Sequence, residues 1–288
     1  MKRYVKWAMM ACLSLVLALS ACQMEKSQEI LEQPSAFSGE GSSGPGGPRS
    51  IVNPYDSIGW YHNALVVYVL EHLDESNGDV YLQSEALTIE YFESIGIDLD
   101  SSKVTPIFRS IQNDSYAMSP ANWKNIQLSR VNALDLSPNA TQFISKLIAA
   151  IDTFDYTNSD HRTSIDVSQL EAEVLSSSLE DDEITLILMG ASFVRWSSYL
   201  WYQVYHGGDL SEFGVDYRGT VDLKSFNWCW KCTLSDDLTY GLEGGVGAVV
   251  GAAVTGVAAP WIPLAGGAGF VIFGGYASLH DVMDQMGY

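Results

Sequence analysis

Residues 241–281 read GLEGGVGAVVGAAVTGVAAPWIPLAGGAGFVIFGGYASLHD, and no charged side chain lies between Glu243 and Asp281. Gly244, Ala248, Ala252 and Gly256 fall four apart, and so do Gly247, Gly251, Thr255 and Ala259. Residues four apart share a face of a helix. The two rows make a smooth, narrow strip on which a second helix approaches closely, as small-xxx-small pairs do in membranes. Pro260 and Pro263 end this helix and turn the chain. Leu264 to Leu279 then returns with Gly266, Gly267, Gly269, Gly274 and Gly275. The stretch predicts a helical hairpin with two glycine-rich arms. Gly costs about 1 kcal/mol relative to Ala inside a helix, so close packing must compensate. A protein core supplies such packing, and so does insertion of residues 244–279 into a bilayer. Each arm falls slightly short of the roughly 20 residues that a spanning helix needs. No Lys or Arg at the turn or feet gives the usual orienting signal.

The rest of the folded chain also reads as helical, so the expected fold class is mainly α. A bundle-like body would cover residues 51–232 and the hairpin residues 233–288. Asn53 reads as an N-cap, with Pro54 in the first turn and Asp56 near the positive helix end. Ile58, Tyr61, Leu65, Tyr68, Val69 and His72 follow at helical spacing, and Asn77-Gly78 ends the element. Residues 84–95 and 138–155 predict two further amphipathic helices, the second opened by Ser137-Pro138. Glu180-Asp181-Asp182-Glu183 heads a long helix that stops at Gly207-Gly208, and its acidic start complements the helix dipole. Strand signals are confined to Val80–Leu82 and a weak alternation from Thr220 to Phe226.

The N-terminus reads as an export signal. Lys2, Arg3 and Lys6 precede an apolar run from Trp7 to Leu19, too short to span a bilayer but suited to a signal peptide. Leu19-Ser20-Ala21-Cys22 follows. This order of charge, apolar run and small residues before Cys resembles bacterial lipoproteins. The resemblance implies cleavage after residue 21 and lipidation of Cys22, whose acyl chains anchor at about 0.8 kcal/mol per buried CH₂. It places the protein in the cell envelope, on the outer membrane. Residues 22–50 are the lipidated end and a linker. From Ser38 to Ser50, 11 of 13 residues are Gly, Pro or Ser. A linker of this length has a reach of roughly 30 Å, which stands the body off the membrane.

Without the three basic residues of the signal, 12 basic residues face 35 acidic ones, a formal charge of −23. That argues against nucleic acid and against adhesion to anionic lipid. It suits solubility or a cationic protein partner.

Candidate chemistry is sparse. Cys229-Trp230-Lys231-Cys232 is a CxxC and holds the two cysteines left free when Cys22 is lipidated and Cys12 is cleaved off. In an oxidising envelope the pair closes a disulfide. A redox pair is an alternative, but it asks for the first Cys at a helix N-terminus after a strand, and no such pattern surrounds it. A metal site would need more ligands. His62 is the one candidate catalytic residue. Asp56, Gly59, His62 and Asn63 lie within two turns, and the small Gly59 beside them would open a pocket for an imidazole. No GxSxG or HExxH accompanies it, and a buried, hydrogen-bonded histidine is the competing reading. Asp74-Glu75-Ser76-Asn77-Gly78-Asp79, with Glu85, misplaces the glycine of a calcium loop and reads as a turn. Phe193, Trp196, Tyr199, Trp201, Tyr202 and Tyr205 point all round the long helix. That fits a central buried helix, with a ligand surface as the alternative. No cofactor or metal is expected.

Asn53-Pro54-Tyr55-Asp56-Ser57-Ile58-Gly59-Trp60-Tyr61-His62-Asn63, taken with Trp228-Cys229-Trp230, Ser235-Asp236-Asp237 and the hairpin, resembles envelope proteins of the Bacteroidota. The resemblance implies no activity, and this chain has cysteines where those proteins have Trp. The hairpin alone resembles class II bacteriocins, by composition. The reading is a lipid-anchored envelope protein with a non-catalytic interaction or structural role. A membrane-active protein using the hairpin, and an enzyme using His62, are the alternatives.

Overall fold

Short polar residues and glycines punctuate the chain, and helices fill the intervals. The computed structural model describes residues 48–74, 76, 78–97, 99–115, 119–154, 167–213, 229–255 and 262–286. Among them are α1 (Asp56–His72), α2 (Val80–Ser94), α3 (Ser101–Ser115), α4 (Trp123–Val131), α5 (Pro138–Thr153), α6 (Ser168–Leu175), α7 (Asp181–His206), α8 (Trp230–Thr255) and α9 (Ile262–Met286). The fold is mainly α, and no strand occurs among the described residues.

Several starts follow from capping chemistry. Ser137 Oγ accepts from the Ala140 N–H at 3.2 Å, with Pro138 opening α5. Asp79 accepts from the N–H groups of Tyr81 and Leu82. Val80–Leu82, one of two thin strand signals in the sequence, is therefore the first turn of α2. The cap supplies acceptors for N–H groups that a helix start leaves unpaired. Thr220–Phe226, the other strand candidate, lies outside the described residues. Asn53 is not the N-cap of α1. The helix begins at Asp56, and Asn53 Oδ1 accepts from the Tyr55 N–H at 2.9 Å one turn earlier. Its amide is used elsewhere, as shown below. α7 stops at Gly207, whose φ of 68° is the left-handed value glycine adopts without strain.

α7 is the central helix, with every residue from Leu186 to Trp201 buried. That complete burial explains its aromatics on all sides. α1 crosses it at Gly59, where a Cβ would sit 2.5 Å from the Ser192 carbonyl oxygen. α8 and α9 pair along their length and pack on α7 and α1. Gly244 and Gly269 meet at their crossing: a Cβ on either would lie 2.6 Å from the other's carbonyl oxygen. Phe270 fills the space left by Gly241 and Gly245, and Phe193 packs against Gly274. The hairpin arm begins at Trp230, upstream of the boundary expected at 233, and one hydrophobic core runs from Ile58 to Met283. No helix among the described residues is long and apolar enough to cross a membrane.

Candidate functional site

The feet of the hairpin carry its polar residues into the core. Glycines at 241, 244 and 245 let α8 and α9 close together, which fixes Asp236, Asp237 and Asp281 in a packed interior. α4 reaches across to Asp236: Gln127 Nε2 donates to its Oδ1 at 2.8 Å, and Arg130 lies 3.3 Å from the same oxygen. Thr239 donates to Gln127 Oε1 at 2.6 Å, which fixes the amide's orientation. Arg130 also donates to the Tyr240 hydroxyl at 2.8 Å and lies over that ring. Asp281 accepts from the Thr233 hydroxyl and from Gln285 Nε2.

His62 faces this cluster from α1. Its Nδ1 lies 2.9 Å from Asn63 Oδ1, and Asn63 donates its amide to the Trp196 carbonyl at 2.7 Å. The Asn63 oxygen is thus an acceptor, which assigns the proton to His62 Nδ1. His62 Nε2 is 3.6 Å from Asp237 Oδ2, beyond hydrogen-bond range, and that oxygen accepts from Ser197. Among the described residues, His62 Nε2, Asp236 Oδ2 and Asp237 Oδ1 have no hydrogen-bond partner. At the outer edge, His280 Nδ1 pairs with Asp284 at 3.3 Å, and Tyr81 donates to Asp284 while stacking on the imidazole.

Burial dominates the electrostatics. It pushes the Asp236 carboxyl up to about 7, against the pull of Arg130 and Gln127 and with a further push from Asp237 and Glu243. Burial also raises Asp281 well above the carboxylate range, helped by the charge of Asp236. A carboxyl raised on folding stabilises the fold fully below its unfolded value, near 4, and loses that contribution as pH rises through its folded value. Stability should therefore fall between about pH 4 and pH 7. The carboxyls lowered by hydrogen bonds, Asp74, Asp152, Glu173 and Asp209, act below that window. Urea midpoints at pH 5, 6, 7 and 8 should decline in the native chain and decline less steeply in Asp236→Asn, where the buried Asp281 still contributes. Parallel slopes in the two proteins would refute this assignment.

A second buried charge cluster fastens the start of the body. Arg195 on α7 donates to Asp56 at 2.6 Å and to Glu171 at 2.9 Å, and also to the Pro48 carbonyl. Glu171 accepts from Ser50 Oγ and Asn53 Nδ2, each at 2.7 Å. The same Asn53 amide donates to the Leu188 carbonyl at 2.8 Å. Residues 48–56 are thereby clamped between α6 and α7.

The remaining sequence candidates are placed as follows. Cys229 and Cys232 form a disulfide. His62 is fully buried, and the space at Gly59 is filled by Ser192 and Trp196, so no pocket opens there. Asp74 caps its own turn by accepting from Ser76. Gly244 lies at the helix crossing and Gly247 is buried on α8. Gly251 is in α8 with its surroundings outside the described residues, and Gly256 and Cys22 lie outside them altogether. No metal-holding group of His, Cys, Asp or Glu occurs among the described residues.

The sequence reading missed Gln127, Arg130, Glu171 and Arg195, and set Asp56 beside the helix dipole and His62 rather than opposite Arg195. One signal was available: Asp236-Asp237 and Arg195 interrupt apolar helical runs, and such charges are buried only when paired. No family model, curated protein or solved structure matches this chain.

Proposed function

We propose that this is an envelope lipoprotein, held in the membrane by acyl chains on Cys22, whose helical body has a non-catalytic interaction or structural role. The clamp at residues 48–56 carries this reading. The Gly-, Pro- and Ser-rich stretch leads into residues held by a buried arginine of the central helix, so a pull on it is borne by α7 rather than by a surface loop. Such a joint suits a body displayed at the end of a tether.

The interior polar cluster supports an architectural role for its members. His62 and Asp236 are 0 % exposed and Asp237 1 %, so these groups offer no reacting atom to solvent. The packed setting of the hairpin is preferred over insertion for a similar reason. Moving α8 and α9 into lipid would take Asp236 away from Gln127 and Arg130 and Asp237 away from Ser197, the contacts that hold the hairpin's feet against α4 and α7.

Cys22→Ala tests the anchor. The native protein should take up labelled fatty acid and sediment with membranes. The variant should lose the label and appear in the soluble fraction. A variant that stays on membranes through a carbonate wash would show a second anchor and bring hairpin insertion back.

A further inference from the structure

We propose that Cys229 and Cys232 form a thiol–disulfide exchange site that oxidises dithiols, with Cys229 as the sulfur that substrate attacks. The structure meets the helix-start requirement of such a site. Cys229 immediately precedes α8, and its carbonyl accepts from the N–H groups of Cys232 at 2.8 Å and Thr233 at 3.2 Å. It therefore occupies the N-cap position, where a side-chain acceptor reaches the free N–H groups of the first turn. A thiolate there is stabilised by those donors and by the positive end of a 26-residue helix.

The two sulfurs are not equivalent. Cys232 is 2 % exposed, whereas Cys229 is only partly buried. The outer sulfur is the one a substrate reaches, and the inner one is the resolving thiol. The turn between them is held on two sides. Trp230 packs edge-on against Phe154, and Lys231 pairs with Asp152 at 3.0 Å, both at the end of α5. From α9, Gln285 accepts the Cys229 N–H and donates to Asp281. The backbone is thus fixed by contacts that do not depend on the S–S bond, and opening that bond leaves both cysteines in place.

The chemistry balances without another reagent. A substrate thiolate attacks Cys229 Sγ, the S–S bond breaks, and Cys232 leaves with the electron pair and takes a proton. The second substrate thiol loses its proton and attacks its own sulfur in the mixed disulfide. Cys229 then departs as the thiolate that the helix end stabilises, and a lower thiol pKa makes a better leaving group. The substrate loses two electrons and becomes a disulfide, and the cysteine pair gains them.

The site stands apart from the anchoring proposal, and the full chain in detergent serves for the test. Reduced protein should react with iodoacetamide at pH 6 at least tenfold faster than glutathione does, and at Cys229. Oxidised glutathione should form a stable adduct on Cys229 in Cys232→Ser and none on Cys232 in Cys229→Ser. The circular dichroism of the reduced chain should match that of the oxidised chain. Alkylation no faster than glutathione, equal labelling of the two cysteines, or unfolding on reduction would each overturn the proposal and leave a structural disulfide.

Discussion

Gly244→Leu will destabilise the protein by about 3 kcal/mol, the upper end of overpacking costs. A Cβ at 244 would already lie 2.6 Å from the Gly269 carbonyl oxygen and 2.2 Å from a Phe273 ring carbon. Backbone cannot step aside as a side-chain tip does, so α8 and α9 must separate. Separation would loosen Phe270, seated against Gly241 and Gly245, and the polar feet that depend on it. Helix propensity works the other way, since leaving glycine gains up to about 1 kcal/mol. Gly190→Ala isolates that gain. Its new Cβ would meet Leu238 and Leu147 methyls at 3.0 and 3.5 Å, which are mobile ends that can yield. It should come out near neutral, and Gly244→Ala should fall between the two. Thermal unfolding of the three variants checks the order. An unchanged or raised melting temperature for Gly244→Leu would overturn the packed hairpin crossing.

The helices read from the sequence were legible because their signals are local, whereas α3, α4 and α6 were not read. Pro138 after Ser137, the acidic start of α7 and Gly207 at its end act within a turn of where they stand. The hairpin was legible for the same reason, since glycine at close spacing makes sense only where something approaches. Its crossing point was not. Gly244 was singled out, but the roles of Gly241, Gly245 and Gly274 depend on aromatic partners that no spacing reveals. The polar core was hidden more completely. Asp236 takes its donor from α4, Asp237 from α7 and Asp56 from α7, across gaps of 109, 40 and 139 residues. A charge near a helix start looks like dipole chemistry until the fold supplies its counter-ion. Cys229 failed in the opposite sense. The helix start at Trp230 was missed because tryptophan, lysine and cysteine carry no capping signal.

Arg195→Met will cost about 3–5 kcal/mol, the range for removing one partner of a buried ion pair. The side chains of Arg195 and Asp56 are 6 % and 9 % exposed, and that of Glu171 is sealed. Methionine fills most of the arginine's length, so lost packing is a minor part of the effect. The main part is two carboxylates stranded in the core. Glu171 keeps its donors Ser50 and Asn53, and Asp56 keeps the Trp196 indole N–H at 3.3 Å, but neither set carries positive charge. Neutralising the stranded groups should then recover stability. Arg195→Met with Glu171→Gln and Asp56→Asn should unfold at higher urea than Arg195→Met alone. A local readout separates the clamp from general weakening. The peptide bond after Arg49 follows the Pro48 carbonyl that Arg195 holds, so trypsin should cut there faster in Arg195→Met under conditions where the body stays folded. A loss below about 1 kcal/mol, the scale of a solvent-screened pair, with unchanged cleavage at Arg49, would mean that the arginine neither neutralises the core nor fastens the linker.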